Sequence, residues 1–429
     1  MRRLLGVIAI ALVLPGTARA ASVFLIDGRG WGHGVGLAQW GAEGAARHGW
    51  THERILAHYY PGTKLTVVAP QSVRVLIAES QPKVRISSAM PFLVRDANGR
   101  ERHAKHGIVL NGASKLPVSF VAGAAALALD GAGYRGELVV TRAAGGLRVV
   151  NKLPLERYLR GVVPLEMPKG WHAAAYEAQA VAARSYALAQ INPSRPFDLV
   201  SEPSDQVYGG IWAERPETNL AVGATAGRVL TYGGRVITAY YHSSSGGRTA
   251  AVQDVWPERS PVPYLVSVPD PFDAISPNHR WGPLVETQEA LGRLLGVGGV
   301  ADVLVDARPS GYVARVSVVA EGRTRVISGM EFRQALGLRS PAFAVRVLAL
   351  DPPPARRVLS NRPLPLTGFV RGLGGVELEE RVAGSWRRVA SIHLRPNGRF
   401  QTTIRPRRTT SYRLTVDGTA GPEVVVRVG

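Results

Sequence analysis

The residue with the plainest capacity for chemistry is Glu166. It stands between Leu165 and Met167, with Pro168 and Trp171 just beyond. A carboxyl group in apolar surroundings has its charged form disfavoured, so its pKa rises and it can hold a proton at neutral pH. An acid that protonates a departing glycosidic oxygen needs that property. The same residue also reads as a carboxylate stabilised at a helix N-terminus by the backbone dipole. The side chains alone leave both readings open. Glu156 and Glu177 are the carboxyl groups nearby in sequence. Gln179 and Arg184 share an Ala-rich stretch with Glu177, and a buried amide or guanidinium there needs partners. They either belong to an internal network that fixes the helix, the favoured reading, or contact a sugar or support Glu166.

Two further segments carry polar chemistry. In Gly28-Arg29-Gly30-Trp31-Gly32-His33-Gly34-Val35-Gly36, five glycines surround one histidine. Glycine admits positive φ and lets backbone or ligand approach closely. The segment lacks the Lys-Ser/Thr ending and the strand–helix setting of a phosphate loop. His33, Gln39 and Trp40 offer a donor, an amide and a stacking face, the groups that hold a sugar. Tyr59 and Tyr60, before Pro61-Gly62, add aromatic surface. The alternative is that the glycines only make tight turns around a buried histidine. The second segment, residues 240–249, presents Tyr241, His242, Ser243, Ser244 and Ser245. Neighbouring residues on a strand point to opposite faces, which argues against His242 activating Ser243 as a nucleophile. A polar loop that binds glycan is the better reading. The chain has no cysteine, so no thiolate metal site can form. No metal or other cofactor is assigned, although a His/carboxylate site stays open.

The elements that must position these groups follow from periodicity. Leu155, Tyr158, Leu159 and Val162 fall on one helical face after Pro154. Pro164 and Pro168 are expected to break that helix and leave Leu165-Glu166-Met167 in a short connection. A second helix is expected from about His172 to Gln190, carrying nine alanines. Its apolar positions run all round, so it reads as buried and central. Residues 72–150 read as β-rich, with strands at Val73–Ile77, Val84–Ile86 and Leu138–Val140 and turns at Asn98-Gly99 and Gly131–Gly136. Asp351-Pro352-Pro353-Pro354 reads as part of a linker at 351–357. Residues 358–429 alternate apolar and polar residues around turns such as Asn397-Gly398, and read as a small Ig-like β-sandwich.

At 429 residues the chain has room for two or three domains. Arg2 and Arg3, the apolar run Leu4–Leu14 and the small residues up to Ala20 read as a signal peptide at 1–20. The apolar run is shorter than the roughly 20 residues a spanning helix needs. An uncleaved membrane anchor is the alternative. The net charge is +20, from 52 Lys and Arg against 32 Asp and Glu. For an exported protein such charge points to anionic wall polymers and peptidoglycan carboxylates, not to nucleic acid. The plain alternative is an Arg-rich solvated surface.

Residues 151–188, NKLPLERYLRGVVPLEMPKGWHAAAYEAQAVAARSYAL, resemble the core signature of the SpoIID/LytB family. SDQVYGG at 204–210, residues 218–250, and the GHGVG-containing stretch 28–65 resemble further blocks of that family. In many members the GHGVG block ends the core; here it comes first, which is compatible with a circularly rearranged core. The resemblance implies an α+β fold: a mixed SpoIID-type core at 21–350 with central Ala-rich helices. That core comprises the GHGVG block at 28–66, the β-rich part at 72–150 and a main core at 151–340. The resemblance also implies a secreted, cell-wall peptidoglycan lytic transglycosylase acting on glycan strands, including peptide-stripped ones. Glu166 would be its single acid/base, forming 1,6-anhydro-muramic ends. The other role the family implies is a non-catalytic, glycan-binding enhancer of a partner N-acetylmuramoyl-L-alanine amidase.

Overall fold

A computed structural model describes residues 21–429 apart from Glu321 and Arg356. The signal-peptide reading at 1–20 lies outside the described residues. The fold is α+β, and its largest apolar cluster is built mainly around helices. Four helices contribute to that cluster: α1 (Gln39–Arg47), α2 (His52–Tyr59), α3 (Leu155–Glu166) and α4 (Ala173–Gln190).

Helix α4 is the hub. Twelve of its residues are buried, including Ala178, Ala180, Ala182 and Ala183. Small side chains all round let α1, α2 and α3 approach it from different sides. Helix α3 packs Leu155, Tyr158, Leu159 and Val162 into the same core. The strand Gly146–Pro154 feeds straight into α3, with Pro154 as the residue before the helix instead of its first turn. The expected helix break at Pro164 does not occur: Pro164 lies inside α3, two residues from its end, and the helix runs on to Glu166. It stops at Met167, whose backbone is extended (φ −125°, ψ 138°). The cause is Pro168, whose ring disfavours helical geometry in the preceding residue. Glu166 is therefore the last residue of a helix, and the N-terminal dipole reading is overturned.

The β-rich segment forms as expected. Ser72–Gln81, Glu137–Ala143 and Gly146–Pro154 lie in a seven-stranded sheet, and Lys83–Ser88 in a four-stranded one. One apolar cluster joins the two. Asn98-Gly99 makes the turn between Phe92–Arg95 and Glu101–Ala104.

The C-terminal region departs from the expected separate module. The first described strand, Ala21–Gly28, pairs with Trp281–Thr287 on one side and Phe343–Leu350 on the other. Phe343–Leu350 then pairs with Leu364–Arg371, which pairs with Arg399–Ile404. The proline-containing segment thus turns the chain back onto its own sheet instead of spacing two bodies apart. Asn397-Gly398 does turn, with Gly398 at φ 78°. The strands it joins, however, belong to different sheets: Ser385–Ser391 lies in the second C-terminal sheet with Glu377–Val382 and Thr410–Val416. Val23, Leu25, Leu348 and Leu350 share one apolar cluster with Leu366, Phe400, Leu378 and Leu414. Among the described residues no helix is long and apolar enough to cross a membrane.

Candidate active site

The GHGVG block and the 240–250 loop are built as one unit. Leu37–Ala38 pairs in parallel with Tyr241–His242, and bridges join Trp31 to Ser244 and Val35 to Ala250. The glycines make this close approach feasible. Gly36 has φ 74°, and a Cβ there would lie 2.0 Å from the Tyr240 carbonyl oxygen. A Cβ on Gly34, at φ 86°, would strike the Tyr312 ring at 2.2 Å. The block precedes the core in sequence yet reaches Glu166 through Gln39, the first residue of α1.

A cavity of about 240 Å³ opens where these pieces meet, lined by Glu166, His33, Tyr240, Tyr241, Trp256, Tyr186 and Asp205, among others. Glu166 sits half-buried in it, and burial pushes its carboxyl pKa above the ordinary value of 4.5. Three groups oppose that shift without cancelling it: the Val207 N–H, which donates to Glu166 Oε1 at 3.3 Å, and the Gln39 and Tyr241 side chains. The C-terminal end of α3 adds to the bias, since the dipole there disfavours negative charge. Gln39 is buried and its Nε2 donates to no acceptor within bonding distance. It faces the carboxyl as an uncommitted donor.

A relay of hydrogen bonds fixes Tyr241. Tyr158 Oη donates to Gln206 Oε1 (3.1 Å), and Gln206 Nε2 donates to Tyr241 Oη (2.9 Å) and to the Ala183 carbonyl (3.3 Å). Burial, together with the charge of Glu166, holds the Tyr241 hydroxyl far above its usual pKa, so it remains a donor. His33 is likewise neutral. Burial foremost, and the Arg333 charge after it, lower its pKa to about 4. Its Nδ1 accepts the Val35 N–H at 3.0 Å, which puts the ring proton on Nε2. The His33 ring stands 5.3 Å from Trp256 and 5.8 Å from Tyr240, so aromatic faces flank the cavity.

Of the residues singled out in the sequence, Glu166, His33 and Tyr241 line the cavity, and Gln39 faces Glu166. Trp40 and Ser243 are half-buried outside it; the Trp40 N–H donates to the Ser243 carbonyl and its ring meets Trp171 edge-on at 4.8 Å. The others are corrected to structural roles. Tyr59 is buried against Asp270, and Tyr60 is buried with its hydroxyl on the Tyr240 carbonyl at 2.6 Å. Gln179 is fully buried, its amide touching no polar partner. Arg184 is fully buried and clamps Glu156 through two nitrogens, at 2.8 and 2.7 Å. His242 is buried beneath His33 and hydrogen-bonds the Val35 carbonyl at 3.3 Å. Ser244 and Ser245 are buried with their hydroxyls on Asp273 and Asp270.

The two candidate partner carboxyls are also committed, Glu156 to Arg184 and Glu177 to His52. The carboxyl that does enter the cavity is Asp205, which was not among the residues singled out in the sequence. It accepts from Tyr186 Oη at 3.0 Å and from the Val200 N–H at 2.9 Å. The SDQVYGG motif, which contains Asp205 and Gln206, was the available signal. Among the described residues no three His, Asp or Glu side chains converge as a metal-binding set.

Comparison with known proteins bears on this constellation. Residues 143–232, spanning α3, α4 and the SDQVYGG loop, match the family described as SpoIID, Stage II sporulation protein. The chain is 44% identical over 115 residues to the amidase enhancer of Bacillus subtilis (strain 168), covering 27% of this chain and 15% of that protein. It is 34% identical over 215 residues to the stage II sporulation protein D of Bacillus amyloliquefaciens, covering 45% of this chain and 60% of that one. The corresponding Bacillus subtilis protein is 32% identical over 214 residues, 45% and 61% of the two chains. The chain therefore spans about three fifths of the sporulation proteins it matches and a smaller share of the enhancer. No solved structure gives a significant match. The segment that holds Glu166 at its helix end lies within residues 143–232, the part of the chain that matches the SpoIID family.

Proposed function

We propose that this chain is a secreted, cell-wall-acting lytic transglycosylase that cuts peptidoglycan glycan strands between N-acetylmuramic acid and N-acetylglucosamine. Glu166 protonates the departing glycosidic oxygen. It then takes the proton from the muramic C6 hydroxyl as that oxygen closes onto C1, giving a 1,6-anhydro ring. No water is consumed, and one carboxyl serves both steps. A glycosidase that hydrolyses needs a second carboxyl placed to act on water or on the sugar. Asp205, the other carboxyl in the cavity lining, accepts from Tyr186 and Val200, and Glu166 is the one whose pKa burial raises.

The observation that carries this reading is a half-buried carboxyl with a raised pKa in a cavity flanked by His33, Tyr241 and Trp256. Trp256 and Tyr240 supply faces for the sugar ring beside the neutral His33 and Tyr241. Export follows from the residues before Ala21, whose pattern is that of a signal peptide. The test is mass spectrometry of peptide-stripped strands incubated with the wild-type chain or Glu166→Gln. Anhydro-muramic products are expected from the wild type, with a loss on the order of 10²–10⁴-fold in the folded variant. Equal product from both would remove Glu166 from the chemistry. Reducing ends in place of anhydro ends would assign Asp205 the role of a base.

A second reading draws on the relative named amidase enhancer. In it the cavity holds glycan without cutting it and the chain stimulates a cell-wall amidase. Stimulation of such an amidase by purified protein that itself releases no anhydro product would favour it.

A further inference from the structure

Outside the Glu166 cavity, two depressions of about 460 and 530 Å³ share Arg29, Arg280 and Gly311 and so form one continuous groove. Its walls carry Arg29, Arg248, Arg280 and Arg346 together with Trp281. The one carboxylate in the lining is Asp27, and it is bound to Arg346. Asp273 nearby is buried and taken up by Ser244, by the N–H groups of Ser245 and Gly246, and by His279.

Arg346 is paired with Asp27 and the Arg29 guanidinium donates to the carbonyls of Ser245, Gly246 and Ser310, so the charge left uncompensated is that of Arg248 and Arg280. Arg280 is exposed and makes no hydrogen bond or ion pair among the described residues. Arg248 reaches only the Ser267 hydroxyl, at 3.5 Å. Arg280 and Arg248 both act on Arg29, whose pKa is lowered by burial first and by their repulsion after it. Two buried N–H groups in the lining, Trp281 Nε1 and Arg346 Nε, have no acceptor. Like charges and orphaned donors are unfavourable unless something answers them, and an oxyanion answers both.

The groove is continuous in sequence with the candidate active site. Arg29 is four residues from His33, so their Cα atoms are within about 14 Å. Gly246, in the groove, is five residues from Tyr241, within about 18 Å. The same two loops therefore wall both places. We propose that this groove binds a carboxylate of the glycan strand itself, the lactyl carboxylate of a muramic residue lying beyond the one at Glu166. The planar guanidinium forks match a carboxylate bidentately, and Trp281 gives the sugar an aromatic face. This assignment rests on the glycan-cleaving reading for its substrate, but not on the role of Glu166.

The test measures equilibrium binding to peptide-free muramic-containing strands and to the same strands with their carboxylates amidated. Both protein arms carry Glu166→Gln to slow cutting; one also carries Arg248→Ala and Arg280→Ala, neither of which breaks a core contact. The parent is expected to bind the carboxylate strands about tenfold more tightly than the amidated ones. The arginine variant should bind both strands as the parent binds the amidated one. Equal binding of both strands by the parent, or equal loss of both in the variant, overturns the proposal. So does displacement of the strand from the parent by a lower concentration of poly(glycerol phosphate), which would assign the groove to a phosphate polymer. Any cutting by Glu166→Gln appears separately as product, so failure of the acid/base role is distinguishable from failure of the groove.

Discussion

At the residue scale, Glu166 links stability to pH in a way that can be read without substrate. Its folded-state pKa is raised above the ordinary 4.5. Below the unfolded value both states hold the proton and folding carries no penalty from this group. As pH rises past that value the unfolded chain ionises first, so stability falls until the folded carboxyl also ionises. Glu166→Gln cannot ionise and escapes that fall. Its unfolding midpoint relative to wild type should therefore climb as pH is raised from about 4 toward neutrality, measured by thermal melts across pH. A constant difference at all pH values would mean the carboxyl is not held protonated. The apolar neighbours Leu165 and Met167 made this shift legible in the sequence. The groups that oppose it were harder to read. Gln39 and Tyr241 come from segments far away in the chain, and the Val207 N–H carries no side-chain signal at all. The buried serines misled for a related reason: sequence shows a hydroxyl but not the Asp270 and Asp273 side chains that occupy it.

At the element scale, the cavity depends on two strands that approach more closely than side chains allow. Gly36→Ala would put a Cβ into the Tyr240 carbonyl, at a φ of 74° that non-glycine residues rarely adopt. That carbonyl already accepts the Leu37 N–H and the Tyr60 hydroxyl. The strained backbone costs about 1–3 kcal/mol before the clash is counted. Denaturant titration should show a loss of at least that size, with any residual glycan binding weakened because His33 and Tyr241 are set by the same pairing. Wild-type stability in Gly36→Ala would mean that the two loops do not form this junction. Helix positions were the most legible elements, because the apolar face of α3 and the alanines of α4 state their burial directly. The end of α3 was not. Pro164 removes one N–H and by pattern alone reads as a break. The helix nonetheless continues through Pro164 to Glu166, and the terminating influence belongs to Pro168 acting on Met167.

At the scale of the whole molecule, the chain closes on itself. The first described strand lies in the same sheet as strands from beyond residue 360, so the proline-rich segment marks a bend within one folded unit and not a border. Sequence patterning could not show this, since period-2 alternation reports that a strand has a buried face but not which strand covers it. The consequence is testable by truncation. Ending the chain at Leu350 would uncover Val23, Leu25, Leu348 and Leu350, which are now packed against Leu366, Phe400 and Leu414. Each such aliphatic side chain contributes about 1.5–3 kcal/mol when buried. It would also leave Phe343–Leu350 as an unpaired sheet edge, a template for aggregation. The 21–350 fragment should therefore be aggregation-prone and protease-sensitive, with a melting transition well below that of the 21–429 chain. A soluble fragment that melts at the same temperature would instead restore the reading of residues 358–429 as an independent module joined by a spacer.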